Sequence, residues 1–208
     1  MAEGISLGWN CKSAIKGVAM GIRSTKSNGY KTCPFDEMIT NYRGLIDCIK
    51  DDFEHLCDTR YLELMKIPKE SKWLNTNGDG DTVIYHTKYK FIFNHESPGH
   101  ANLFVRQNWA KGINHFIAND YEEFISRYQR RITNIKELMN SNKKITFILT
   151  RPNTVLEDIG ELREVIANKY PHLQFEMVLL KFNKHEFRDY LLLMNIDQND
   201  DEIKRLNL

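Results

Sequence analysis

The sequence lacks any apolar segment long enough to cross a bilayer, and its longest apolar stretches, at 145–149 and 177–180, have the length of a strand. It also lacks a basic and apolar N-terminal segment of the kind that directs secretion. Lysine and arginine number 29 against 28 aspartate and glutamate residues, so the net charge is only +1. This balance gives no general attraction to nucleic acid or to a membrane surface. We therefore expect a cytoplasmic protein without a membrane partner, and the sequence does not indicate an oligomeric state.

Cysteine is scarce, and its spacing excludes a disulfide framework. The four cysteines are Cys11, Cys33, Cys48 and Cys57, and none of them forms a Cys-x-x-Cys pair. Without a secretion signal, we expect four reduced thiols. Cys48 lies inside a predicted amphipathic helix and Cys57 near its end, which is typical of small core residues.

The second half of the chain predicts helices that alternate with nearly continuous apolar strands. Such an alternation favours a mostly parallel sheet covered by helices, in a Rossmann-like or SGNH-like α/β fold. A papain-like α+β fold is the alternative. We expect one α/β domain over residues 1–196, followed by a charged C-terminal tail at 197–208. The predicted elements are helix Tyr121–Met139, strand Lys144–Thr150, helix Leu156–Lys169 and strand Gln174–Leu180.

The first half begins with a strand and two helices and then turns to short strands. Residues 75–81, rich in Asn, Asp and Gly, predict a turn before the later strands. The predicted elements are strand Gly4–Leu7, helix Cys11–Ile22, loop Ser24–Phe35, helix Thr40–Leu56, and strands Thr82–His86 and Tyr89–Asn94.

The turn from Gly8 to Cys11 carries the main chemical hypothesis. Gly8 permits a sharp turn after the first strand, and Cys11 then lies at the first turn of a helix. The free N–H groups and the dipole of that helix end would stabilise a thiolate and lower the pKa of Cys11. The same N–H groups, together with the Asn10 side chain, could hold an oxyanion. The alternative is that Cys11 is a buried structural cysteine.

His95 is the histidine best placed to serve as a base for this thiol. It directly follows the apolar strand Tyr89–Asn94 and precedes a loop with glycine and proline. Ligands of open α/β sheets gather at the carboxyl ends of strands, where both Cys11 and His95 are expected. The alternative is a histidine that caps a strand by bonding to a nearby carbonyl group.

Other polar residues are candidates for supporting roles. Asp36 either caps the second helix or orients the base, and Asn153 is another candidate for the orienting residue. Arg151 follows a predicted strand, where a guanidinium could bind a carboxylate or phosphate of the substrate. Gly8 and Asn10 are the other two predicted substrate-binding residues. The doublet Arg130-Arg131 is expected on a solvated helix face, although one of the two could turn inward to pair with an acid.

No metal or other cofactor is predicted. The segment His95–His100 superficially resembles a zinc motif, but its spacing is wrong and Pro98 and Gly99 would break a helix there. The run at 75–81 offers some oxygen ligands of a calcium loop, but His86 occupies the position of the required glutamate. A hairpin turn is the preferred interpretation of that run.

Five short motifs stand out along the chain, namely Ile5–Cys11, Pro34-Phe35-Asp36, Phe93-Asn94-His95, Arg130-Arg131 and Phe147–Arg151. Together they resemble a known family, the papain-like cysteine peptidase family found in bacteria and large DNA viruses. The resemblance spans about Gly4 to Arg151, and its opening Ser-Leu-Gly-x-Asn-Cys is the most specific part.

The resemblance implies a Cys–His hydrolase, with Cys11 as nucleophile and His95 as base. Family members usually carry Trp after Pro-Phe-Asp, whereas this chain has Glu37. For a viral member, the expected location is the host cytoplasm.

Three functions follow from these observations. The first is a cysteine hydrolase that acts on an amide, isopeptide or ester bond of a protein, a peptide or a small acyl substrate. The second is a transferase or hydrolase for a phosphorylated or sugar ligand, in which the Gly8–Cys11 turn binds an anion. The third is a non-catalytic viral module that binds a host protein.

Overall fold

The computed structural model of the chain describes residues 3–66, 82–99, 111–150 and 159–180. These residues form a mixed α/β domain that contains a parallel sheet and packed helices, which confirms the predicted fold class. The strands are β1 (Glu3–Gly8), β2 (Leu62–Lys66), β3 (Thr82–His86), β4 (Phe91–Ile92), β5 (Ile145–Thr150) and β6 (Phe175–Leu180), and the helices are α1 (Cys11–Ala19), α2 (Tyr42–Lys50), α3 (Ala118–Met139) and α4 (Gly160–Lys169).

The parallel sheet has the strand order β1-β5-β6, with β5 in the centre. Glu3 of β1 lies opposite Ile145, and Thr150 of β5 lies opposite Leu180 of β6. All six residues of β5 are buried, as expected for a central strand covered on both faces. Because β1 and β5 are parallel, their carboxyl ends meet, and the turn after Gly8 lies beside Thr150.

The second sheet is antiparallel and has the strand order β2-β3-β4. Leu62 of β2 lies opposite His86 of β3, and Tyr85 of β3 lies opposite Ile92 of β4. β4, the short strand that precedes His95, is the last strand in this order.

A short extended segment at Ile39 and Thr40 connects the two sheets. Ile39 exchanges two backbone hydrogen bonds with Ile92 of β4, at 2.8 and 2.9 Å between nitrogen and oxygen. The backbone N–H of Thr40 donates to the carbonyl oxygen of Trp9, just after β1, at 2.7 Å. Trp9 and Ile92 are thus two strand spacings apart, about 10 Å.

Helix α1 begins at Cys11, as predicted, but it ends at Ala19 rather than at Ile22. The reason lies at Gly21, whose φ of +68° ends the helix in the left-handed conformation. The backbone N–H of Ile22 then donates back to the carbonyl oxygen of Gly17 at 2.9 Å, which is the hydrogen bond of a Schellman motif. Helix α2 occupies the middle of its predicted range and begins after Asn41, whose side chain accepts from the Gly44 N–H.

Two strand assignments differ from the sequence prediction. β2 was not predicted, because only Leu62 of this strand is buried and Leu64 is 44% exposed, so its alternation is weak. The predicted strand Tyr89–Asn94 is reduced to β4, because Lys90 adopts a φ of +57° in the turn before it. The predicted turn at 75–81 and the tail at 197–208 lie outside the described residues.

Helix α2 packs its first turn closely against the backbone of Tyr89, which yields a stability test. A Cβ added at Gly44 would lie 1.7 Å from the carbonyl oxygen of Tyr89. We expect Gly44→Ala to lower the free energy of unfolding by about 3 kcal/mol. At Gly160, the first residue of α4, an added Cβ would meet none of the described residues within 4 Å, and Gly160→Ala should stabilise by about 0.5 kcal/mol. Urea unfolding of both variants checks this, and equal midpoints would contradict the packing argument.

Candidate functional site

The turn between β1 and α1 is held by two threonines from neighbouring strands. The Thr150 hydroxyl donates to the carbonyl oxygen of Gly8 at 3.0 Å, and the Trp9 N–H donates to the Thr150 hydroxyl oxygen at 3.2 Å. On the other side, the Thr40 hydroxyl donates to the carbonyl oxygen of Leu7 at 3.1 Å. These bonds fix the path of the chain into Cys11.

Gly8 is required at this turn for two independent reasons. Its φ of +100° lies in the region that side chains disfavour. A Cβ at this position would also lie 2.0 Å from the Thr40 hydroxyl oxygen. The geometry gives Gly8 a structural part, and its predicted contact with substrate stays a prediction.

Asn10 caps helix α1 and is 1% exposed. Its side-chain oxygen accepts from the Lys12 N–H at 3.0 Å, and its carbonyl oxygen accepts from the Ser13 N–H at 3.3 Å. Two of the N–H groups at the start of the helix are therefore already bonded to Asn10. The side-chain nitrogen of Asn10 is buried and has no hydrogen-bond partner within the described parts of the chain. This unpaired donor next to Cys11 is the candidate group for binding an oxyanion, and that role stays a prediction.

Cys11 differs from the other three thiols in its surroundings. All four cysteines are free, as predicted; Cys11 and Cys57 are both partly exposed, and only Cys11 stands at the first position of a helix, α1. Cys33 and Cys48 are fully buried, and burial raises the pKa of both thiols. Burial also raises the pKa of Cys57 to about 12, and Cys57 packs against the core. The core assignment of Cys48 and Cys57 is thus confirmed.

His95 lies in a short 3-10 turn, Asn94–Glu96, directly after β4. Ile39 is hydrogen-bonded to β4, and Thr40, the residue after Ile39, is hydrogen-bonded to Trp9. The His95 turn and the Cys11 turn therefore lie on opposite sides of the Ile39-Thr40 segment. The structure thus brings the two strand ends near each other. A contact between the Cys11 sulfur and the His95 ring stays a prediction.

The charge state of His95 follows from its partial burial and from four nearby charges. Burial lowers the pKa of His95 below its usual 6.5, and this effect outweighs the carboxylates of Glu96 and Glu37, which act in the opposite direction. The guanidinium groups of Arg131 and Arg127 lower the pKa further. His95 is therefore neutral at pH 7, which is the protonation state of a general base.

A buried ion-pair cluster lies behind the His95 turn and was not predicted from the sequence. Glu96 is fully buried, and its carboxylate is 2.8 Å from the Arg127 Nε and 3.3 Å from the Arg131 Nη1. The Tyr128 hydroxyl donates to the other Glu96 oxygen at 3.1 Å. Both arginines also pair with Glu37. The cluster thus ties the His95 turn to α3 and to the turn after Asp36.

Arg131 is the inward-facing member of the arginine doublet, as the sequence allowed, and Arg130 is exposed. The sequence contains a signal for this orientation, because Arg131 falls on the helical stripe of α3 that is otherwise apolar. The buried residues of that stripe are Phe124, Tyr128, Arg131, Ile135 and Met139.

Asp36 is 2% exposed, and its carboxylate is bound by three groups. It accepts from the Cys33 N–H at 2.7 Å and from the Tyr30 hydroxyl at 3.0 Å, and it pairs with Arg23 at 3.0 Å. Asp36 therefore caps its own 3-10 turn. The alternative that it caps the second helix is wrong, because Asn41 caps α2. Its part in orienting His95 stays a prediction.

The histidine His86 belongs to the core and not to a site. Its Nε2 is 2.9 Å from the carbonyl oxygen of His55, and its Nδ1 accepts from the Tyr89 N–H at 3.1 Å. Burial lowers the pKa of His86 to about 4.

Some predicted site residues lie outside the described residues, namely Arg151, Asn153, His100 and the run at 75–81. Among the residues that are described, no group of three or more His, Cys, Asp or Glu side chains is arranged to hold a metal ion. The helices of the described ranges include none with the length and hydropathy needed to cross a membrane.

The ion pairs of Glu37 predict a pH-dependent stability. Burial would raise the pKa of Glu37, but the charges of Arg131, Lys26 and Arg127 outweigh it and lower the pKa from 4.5 to about 2. Because the pKa is lowered on folding, ionised Glu37 stabilises the fold above pH 4.5, and this stabilisation is lost as the pH falls towards 2.

We expect Glu37→Gln to lower the free energy of unfolding by about 2 kcal/mol at pH 7 and by much less at pH 3. Urea unfolding across this pH range measures the difference. The exposed Glu122 on α3 supplies the control, because Glu122→Gln should leave stability unchanged at both pH values. A Glu37→Gln effect that is independent of pH would contradict the role of the carboxylate charge.

Comparison with known proteins agrees with the motif resemblance. A family model described as "Putative papain-like cysteine peptidase" matches residues 3–185, a range that includes both the Cys11 turn and the His95 turn. No curated protein and no solved structure is similar enough to match the chain. The family description supports an enzyme of the cysteine hydrolase class. With most of its length matched, the chain belongs to the putative papain-like cysteine peptidase family.

Proposed function

We propose that this protein is a cysteine hydrolase in which Cys11 is the nucleophile and His95 the general base. The substrate is an amide, isopeptide or ester bond in a protein, a peptide or a small acyl compound. The observation that supports this proposal most is the position of Cys11. It is partly exposed at the start of α1, directly after a buried asparagine whose side-chain nitrogen lacks a partner in the described structure.

The proposed reaction has two stages. The Cys11 sulfur attacks the carbonyl carbon of the substrate while its proton passes to the neutral His95. The carbonyl oxygen becomes an oxyanion, which accepts a hydrogen bond from the Asn10 side-chain nitrogen. The intermediate collapses to a thioester, and the leaving amine or alcohol takes the proton from His95. Water, deprotonated by His95, then hydrolyses the thioester and restores the thiol.

The polar residues around this pair have supporting parts in the proposal. Gly8 allows the turn that presents Cys11, and Asn10 is the oxyanion donor, since the N–H groups of Lys12 and Ser13 are already bonded to Asn10. Arg151 follows β5 and would bind an acidic group of the substrate. Asp36 remains the candidate for the residue that orients the base.

The same bonds weigh against anion binding at the Gly8–Cys11 turn. A phosphate at a helix start needs several unoccupied backbone N–H groups. At α1, the N–H groups of Lys12 and Ser13 are used by the cap. The proposal of a phosphate- or sugar-directed enzyme therefore has less support than the hydrolase. A non-catalytic viral module is distinguished from the hydrolase by the reactivity of Cys11.

Thiol reactivity tests the proposed nucleophile. We expect iodoacetamide at pH 6.5 to label Cys11 roughly ten times faster than Cys57, because burial raises the pKa of the Cys57 thiol. Mass spectrometry of peptides measures each rate. His95→Asn should slow the labelling of Cys11, whereas His172→Asn, at an exposed position, should not. Labelling of Cys11 at the rate of Cys57 would remove the basis for a catalytic thiol.

Turnover tests the oxyanion donor. Asn10→Asp keeps an oxygen that can cap α1, and Asn10→Gly costs a helix cap only about a few tenths of a kcal/mol. Both remove the side-chain donor, whereas serine would keep a hydroxyl donor. We expect either variant to lower kcat by about 100-fold or more, the usual effect of one lost oxyanion donor, with little change in melting temperature. The probes are a fluorogenic peptide amide, a p-nitrophenyl ester and a ubiquitin-like C-terminal amide. Wild-type activity on one probe that both variants retain in full would contradict the assignment of Asn10.

A further inference from the structure

A cavity away from the Cys11 turn is lined mainly by cationic side chains. It has a volume of about 560 Å³ and lies between the segment at 26–32 and helix α3. Among the described residues, the uncharged side chains that line it are Thr32 and Asn134, and none of the lining side chains there is a carboxylate. The cations that line it are Lys26, Lys31, Arg127, Arg130 and Arg131.

The carboxylates around this cavity do not neutralise it. Glu37 and Glu96 pair with the arginines, Glu37 also pairs with Lys26 at 3.1 Å, and the exposed Glu137 pairs with Lys31 at 2.8 Å. Five cations against three carboxylates leave an excess of two positive charges. The whole chain has a net charge of only +1, so positive charge is concentrated at this cavity.

Two of the arginines are held in place before any ligand arrives. The Arg131 side chain is 4% exposed and the Arg127 side chain is 31% exposed. Their pairing with buried Glu96 fixes both guanidinium groups, so little side-chain entropy is lost when an anion binds.

Arg130 and Lys31 can form ion pairs with a ligand. Arg130 is exposed and makes no ion pair with the residues that the structure describes. The pair between Lys31 and Glu137 is exposed at both ends, 64% and 55%, and such surface pairs contribute little. A ligand with several negative charges can therefore replace Glu137 as the partner of Lys31.

We propose that this cavity binds a small ligand with several negative charges, of the polyphosphate or phosphate-ester class. The fork geometry of guanidinium groups matches phosphate oxygens, and the volume is within the usual range for small-molecule sites. Neither Cys11 nor His95 lines the cavity, so its ligand is distinct from the substrate of the proposed hydrolase.

The test is calorimetric titration of the full chain with inorganic tripolyphosphate at constant ionic strength. Arg130→Gln and Lys31→Gln should each weaken the Kd about tenfold, the effect of losing one charge-assisted hydrogen bond. Glu137→Gln should tighten binding, because it removes the carboxylate that competes for Lys31. Lys143→Gln, which removes an equal charge outside the cavity, should change nothing. Arg127 and Arg131 are unsuitable here, because their loss would leave Glu96 buried without a cation.

The remaining outcomes overturn the proposal. Absence of tripolyphosphate binding, or binding that Arg130→Gln leaves unchanged in a folded variant, shows that the cavity is not the site. Citrate bound as tightly as tripolyphosphate indicates charge attraction without phosphate selection. An oligonucleotide that binds through Arg130 where tripolyphosphate does not indicates a surface for a polymer backbone. Because the readout is binding and not turnover, failure here is distinguishable from failure of the hydrolase proposal.

Discussion

The hydrogen bonds between two threonines and the turn after β1 are the constraint on which the candidate site depends. Thr150 and Thr40 belong to the two segments beside β1, and each bonds to the backbone of this turn. Gly8 makes the arrangement possible, because any side chain there would collide with Thr40. With the turn fixed from both sides, α1 can start only at Cys11, and Asn10 is placed to cap it. The position of the thiol is thus a property of the sheet and not of a flexible loop.

The charged cluster behind His95 stabilises the fold by pairing a buried carboxylate with arginines. Burying Glu96 without a partner would cost several kcal/mol, so Arg127, Arg131 and Tyr128 are needed to satisfy it. These three residues lie on one face of α3, which therefore cannot shift without exposing a buried charge. The cluster also lies close enough to His95 to alter the pKa of its imidazole. The residues that hold the His95 turn in place therefore also contribute to the pKa of its imidazole, whose largest shift comes from burial.

The sequence predicted best those features that depend on short-range patterns. The start of α1 at Cys11 and the apolar run in β5 are such features, and the structure agrees with both. The motifs by which the family was predicted are also short segments of the sequence. Features that depend on distant partners were missed, since nothing near Glu37 or Glu96 in the chain indicates that both pair with arginines from α3. The strand β2 was missed for another reason, because an edge strand with one buried residue has little hydrophobic pattern.

The segment formed by Ile39 and Thr40 connects the Cys11 turn to the His95 turn. One of its edges is bonded to Trp9, near the thiol, and the other to Ile92, near the imidazole. A force that displaced this segment would change the separation of the two groups without touching either of them. The preceding residues 33–38 connect it to the wall of the cationic cavity through Glu37. The fold therefore links the wall of the cationic cavity, through residues 33–40, to the backbone beside both Cys11 and His95.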